Sequence, residues 1–302
     1  MFKGISRNTW LLHITVLIWG FTGILGVLIQ TSALHLVWYR VLIASLSLMA
    51  YFWFKKKSYR VSRKQLLQYL FTGGLVGLHW ILFFSAIKVS TVSVTLVCLS
   101  SVTLFTAFLE PVIKRQKIAG IDIITGLVII LGIYLIFRFE TEYMLGIILG
   151  VSAAFLASIF AIINSNLVSK GSAPVISFYE MLGAFLWISL YMLITRQFDQ
   201  GLALNTSDLV YLILLGTVCT ATAYVLAVQV MKELSAFTVA LATNLEPIYG
   251  IMLAWLFFGT AEEMSLGFYA GAVVVLGTVF VYPYAKTAQQ KRKLRSKISK
   301  NN

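Results

Sequence analysis

The stretch TWLLHITVLIWGFTGILGVLI, residues 9–29, contains no Asp, Glu, Lys or Arg. A run of that length and composition matches the hydrocarbon core of a bilayer, about 30 Å thick, when wound at about 1.5 Å per residue. Lipid offers the backbone no hydrogen bonds, so such a run must satisfy its own, and a helix does this. The run is too long for the apolar core of a signal peptide, and its end, LIQTSALH, lacks a small-residue cleavage site. It reads as a first membrane span that is retained.

The pattern recurs. Apolar runs lie at about 10–29, 33–54, 65–87, 91–113, 118–137, 144–167, 174–195, 208–231, 236–259 and 264–284, and are numbered here as spans 1 to 10. Composition agrees, with 59% hydrophobic and 12% charged residues, against about 25% charged in a soluble domain. No gap between runs is long enough for a soluble domain. The chain reads as an all-α polytopic membrane protein of ten transmembrane helices.

Charge sets the orientation. With the N-terminus in the cytoplasm, 20 of the 24 Lys and Arg fall on the inner side. They include Lys3, Arg7, the cluster from Lys55 to Lys64, Lys114, Arg115, Lys117 and seven residues from Lys286 to Lys300. Arg40, Lys88, Arg138 and Arg196 make up the outer set. The positive-inside rule therefore expects both termini in the cytoplasm. The basic tail 286–302 reads as an anchor at anionic lipid and not as a nucleic-acid arm. Cys98 and Cys219 stand on separate spans, as do His13, His35 and His79. No nucleotide loop, hydrolase elbow or metal motif is present in the sequence, so neither an enzyme nor a cofactor is expected.

The two halves overlay. A shift of 145 brings STVSVTL (90–96) onto SAFTVAL (235–241), and pairs Gly126 with Gly271 and Gly132 with Gly277. A shift of 140 brings SALHLVWYRVL (32–42) onto SAPVISFYEML (172–182). Each half holds five spans, an odd number, so the second enters the membrane from the opposite side. Inverted repeats of this kind are typical of secondary transporters, with the substrate site near the midplane.

The stretches LIWGFTGILG, WYRVLIASLSL, LHWILFFSAIKVSTVSVTL, ELSAFTVALATNLEPIYGIMLAWLFFG and GFYAGAVVVLGTVFVY, in this order, resemble an EamA-type member of the drug/metabolite transporter superfamily. The resemblance implies two inverted five-helix EamA repeats, here 1–137 and 138–285, and export or exchange of small metabolites such as amino acids. It also implies a bacterial inner membrane, and a monomer or homodimer. Members often carry a glutamate after the ninth helix in a Gly-Glu pair. Here Thr260 follows Gly259, and Glu262 and Glu263 come slightly later.

Candidate transport residues are the polar groups at depth. Glu246 falls within about 2 Å of the centre of span 9 by the helical rise. A carboxylate there needs a partner or water, or carries a proton, and so could couple transport to protons. Pro247 frees the carbonyl of Thr243, and Asn244 adds a donor and an acceptor. Span 4 lacks the proline and has Val102 in that place. Arg40 and Glu180 occupy equivalent places in spans 2 and 7, as substrate contacts, gate residues or a structural ion pair. Trp19, His79, Trp80, Tyr224 and Ser101 complete the set, with ordinary packing as the competing role. The alternative to a carrier is a channel or a structural membrane subunit. The triplet Leu-Glu-Pro occurs at 109–111 and again at 245–247. The 145 shift does not pair the two, and Glu110 is expected at a solvated helix end beside Lys114.

Overall fold

The computed structural model describes residues 7–115, 118, 120–199 and 202–301, with side chains through Gln289 except those of 9, 199, 279 and 283. Lys3, Lys117 and the basic side chains beyond Gln289 lie outside the described residues. The elements are α1 (Arg7–Leu28), α2 (Ala33–Phe54), α3 (Arg63–Val89), α4 (Val92–Leu99), α5 (Val102–Ile113), α6 (Gly120–Phe139) and α7 (Met144–Leu167). They continue with α8 (Ala173–Ile194), α9 (Thr206–Gly216), α10 (Ala223–Val230), α11 (Ala236–Thr243), α12 (Leu245–Phe258) and α13 (Leu266–Asn301). These group into ten apolar spans, as the sequence predicts. Short turns join them, so successive spans alternate in direction and both chain ends leave the bundle on one side. That side is called the terminus end, and the opposite side the far end.

Turn chemistry starts the helices. Ser32, Thr91, Asn205 and Ser235 each accept a backbone N–H three residues on, and Ser62 forms a full capping box with Gln65. Such side chains satisfy N–H groups that a helix start leaves unpaired. Gly259 ends α12 at φ 55°, a left-handed conformation that suits glycine.

Three spans are interrupted at depth. Span 9 breaks at Asn244, just ahead of Pro247. The lack of a mid-span proline does not keep span 4 whole, because it breaks at Ser100–Ser101. There the hydroxyls compete for backbone: Ser101 Oγ donates to Cys98 O at 2.7 Å and Ser100 Oγ to Leu96 O at 3.2 Å. The two breaks are joined. Asn244 Nδ2 donates to Thr103 Oγ1 at 2.6 Å, and Thr103 Oγ1 donates to Ala240 O at 3.0 Å. Span 8 holds a π-turn over Thr217–Thr222, between α9 and α10.

The halves pack across one another. α3 lies against α8, and α1 against α12. At the first seam a Cβ on Gly183 would meet the Leu70 backbone, and one on Gly73 would meet the carbonyl of Glu180. The small-residue pairs Gly73/Gly77, Gly146/Gly150 and Gly267/Gly271 all face neighbouring helices of the same chain.

Candidate functional site

A cavity sits where the halves meet, with about 110 Å³ open to the centre of a water molecule. Its walls include Trp19, Arg40, His79, Trp80, Tyr224, Thr243 and Glu246, all expected from the sequence. They also include Phe83, Phe160 and Met231, which sequence reasoning missed because helix rotation in an all-apolar run leaves no polar face to read.

Arg40 is 1% exposed. Its Nε donates to Thr220 Oγ1 at 2.6 Å, and Thr220 itself donates to Leu215 O, five residues back, at 2.6 Å. The π-turn thus turns a threonine hydroxyl toward a buried cation. The guanidinium carbon lies 4.0 Å from the Trp80 ring centroid, a cation–π contact that replaces part of its lost hydration. Nη1 has no hydrogen-bond partner.

Glu246 opens α12 and is buried, yet its carboxyl makes no hydrogen bond to the described residues. The two ion pairs among the described residues are Lys114–Glu110 and Lys286–Asp122, both at the terminus end. Arg40 and Glu246 feel one another's charge without direct contact. The structural ion pair between Arg40 and Glu180 does not form, because each side chain turns to a different partner. Glu110 takes its expected place, 2.5 Å from Lys114 one turn on.

His79 Nδ1 lies 2.8 Å from Ala153 O. A carbonyl only accepts, so Nδ1 carries the hydrogen and the neutral ring keeps Nε2 as an acceptor. Phe160 meets the imidazole edge-on, at 5.3 Å between ring centroids. Tyr224 packs edge-on against Trp80 at 5.9 Å.

Four expected residues stay outside the cavity wall. Ser101 bonds its own helix. Asn244 holds Ala240 O, Leu241 O and Thr103, tying the broken spans together. Pro247 is buried in the first turn of α12. Glu180 lies behind Tyr224, whose hydroxyl donates to Glu180 Oε2 at 2.8 Å. Asn164 also donates to that oxygen, at 3.2 Å. Asn164 is a buried amide that the sequence reading passed over, although an asparagine deep in an apolar span is itself a signal.

The cavity reaches toward the terminus end, where Met231 and Val239 flank the turn between α10 and α11. The far end is tied by polar contacts. Lys88 Nζ donates to Ile29 O. Gln30 N donates to Asp208 Oδ1 at 3.0 Å, and Ser265 N to Glu140 Oε1 at 2.9 Å. Glu262 takes Val92 N at 3.0 Å, Ser93 N at 2.9 Å and Ser93 Oγ at 2.6 Å. A carboxylate just past span 9 is therefore present, displaced from the Gly259–Thr260 pair and seated on the start of α4.

Comparison with known proteins agrees with this architecture. An uncharacterized transporter of Clostridium kluyveri is 26% identical over 224 residues, covering 70% of this chain and 69% of that protein. An uncharacterized transporter of Archaeoglobus fulgidus is 23% identical over 293 residues, covering 94% and 99%. A solved crystal structure superposes with a TM-score of 0.67 at 15% identity, over 92% of this chain and 97% of that one, which shows a shared fold. The model of the EamA-like transporter family matches residues 8–138 and again 144–282. With ten apolar spans in two repeats around a central cavity, the chain is an integral membrane transporter and belongs to the EamA-like transporter family.

Proposed function

We propose that the protein is a secondary carrier that moves a small amphoteric metabolite of the amino-acid class, working by alternating access. The observation that carries this reading is the pair Arg40 and Glu246, set in one aromatic cavity with neither held in an ion pair. Charges at depth are costly until partnered. A ligand with a carboxylate for Arg40 and an ammonium for Glu246 would complete both, while Trp19, Trp80 and Phe160 take up its apolar part. Rocking of one repeat, 1–137, against the other, 138–285, would exchange the open end.

The charge distribution supports cytoplasmic termini, with the tail 286–302 near anionic lipid. The cavity's reach toward the terminus end then corresponds to an inward-facing conformation. Export or exchange follows from whichever gradient is applied.

The test is counterflow. Proteoliposomes preloaded with unlabelled amino acid should take up labelled amino acid with saturation, whereas flux that rises in proportion to concentration would favour the channel alternative. Arg40→Ala should lower counterflow by about 30-fold or more, since removing one buried charge partner costs about 2 kcal/mol or above. Glu246 is also positioned to carry a proton in exchange for substrate. Glu246→Gln should then abolish stimulation of efflux by a pH gradient, and unchanged gradient-driven efflux would remove that role.

A further inference from the structure

Glu180 is 0% exposed, and its hydrogen bonding is one-sided. Tyr224 Oη at 2.8 Å and Asn164 Nδ2 at 3.2 Å both donate to Oε2. Asn164 Nδ2 donates also to Tyr224 Oη, at 2.9 Å, which closes the triangle. The other carboxyl oxygen, Oε1, is buried with no partner, and so are Asn164 Oδ1 and, one turn earlier on α8, Ser177 Oγ. Two acceptors and a hydroxyl are left without partners among the described residues. Turning the Asn164 amide over does not help, because its oxygen would then face Oε2 at 3.2 Å. No cationic side chain forms an ion pair with Glu180 among the described residues. The titratable groups that feel it are Tyr224 from α10 and Tyr69 from α3, and neither supplies positive charge.

We propose that Glu180 is a second proton-binding site of this transporter, holding a proton on Oε1 in the conformation described here. One hydrogen there removes the charge from a buried oxygen that has no hydrogen-bond partner among the described residues. The site lies outside the cavity but is joined to it by one side chain. Tyr224 donates to Glu180 with its hydroxyl and forms cavity wall with its ring, packed against the Trp80 that carries Arg40. The backbone carbonyl of the same residue abuts Gly73, one of the close contacts between the repeats. Loss of the proton would leave a bare carboxylate facing Asn164 of α7 and Tyr224 of α10, and hydrating it requires those contacts to part. Proton release at Glu180 is thereby linked to the Tyr224 contact and through it to the cavity, an inference that rests on the carrier reading for its consequence but not for the site itself.

Infrared spectroscopy of the purified full chain tests the site without substrate. At neutral pH a protonated-carboxyl C=O band is expected that persists in Glu246→Gln and is absent in Glu180→Gln. Tyr224→Phe, which removes one donor to Oε2, should shift that band, and provides the readout if Glu180→Gln does not fold. A band unchanged in Glu180→Gln, or unmoved in Tyr224→Phe, overturns the proposal. So does a band that disappears on adding sodium ions, which would assign the orphaned oxygens to a metal cation. Failure of the carrier reading is a separate result, namely no saturable counterflow in the wild-type protein while the band remains.

Discussion

The two broken spans start alike and are anchored differently. α4 begins at the far end, where Thr91 caps Val94 N at 3.1 Å, and α11 begins at the terminus end, where Ser235 caps Thr238 N at 3.1 Å. The first two N–H groups of α4 are taken by Glu262, a carboxylate from the other repeat. The 145 shift pairs Glu262 with Lys117, a residue of opposite charge. The Lys286 ammonium lies 5.0 Å from the Phe237 ring centroid. A helix N-terminus favours anions and disfavours cations. The far end is therefore latched across the repeats, no carboxylate takes the first N–H groups of α11 among the described residues, and the cavity extends toward that side. Sequence symmetry supplied two similar half-helices, and a few charges made their anchoring unequal.

Removing the latch should have the largest effect. Glu262→Ala deletes a buried carboxylate that accepts three hydrogen bonds, at a cost of about 1–3 kcal/mol for each buried donor left unpaired. Thermal unfolding in detergent should report it, and a cysteine placed at Val92 should become more reactive to an impermeant maleimide. Unchanged reactivity would show that the far end is closed by packing alone. Glu140→Ala removes the acceptor for Ser265 N and should cost about 1–3 kcal/mol, with a smaller rise in Val92→Cys labelling. The link between the two breaks should be weaker again. A double-mutant cycle of Thr103→Val and Asn244→Ala is expected to give a coupling of about 1–1.5 kcal/mol, and none if the contact is incidental. Ser235→Ala should be smallest, about 0.5–1 kcal/mol, and should leave Val92→Cys labelling at the wild-type level. If Ser235→Ala instead matched Glu262→Ala, the two ends would be equivalent and the asymmetry described here would be wrong.

Some of this arrangement was legible in advance. Ten spans could be read because lipid forces each segment to satisfy its own backbone, which leaves a long uncharged run as the signature. Glu246 and Arg40 could be picked out because a charge at depth is rare and conspicuous. The break in span 9 was signalled by Pro247. The equivalent break in span 4 was not, since Ser100 and Ser101 disrupt a helix only when their hydroxyls turn onto Cys98 and Leu96. The repeated feature of the two halves is this break and not the Leu-Glu-Pro triplet, whose first copy ends in the Lys114–Glu110 pair.

The sequence by itself determined the spans, the inverted duplication and the few charges placed at depth, because each follows from local composition in a medium without water. The tertiary structure alone decided which charges meet. Arg40 turned to Thr220 and Trp80, Glu180 to Tyr224 and Asn164, and Glu262 to the start of α4, while Glu246 was left facing the cavity. Those choices depend on the rotation of each helix about its axis. In a chain apolar on every face that rotation is set by the fit of small residues such as Gly73 and Gly183 against neighbouring backbone, and it leaves no periodic trace in the sequence.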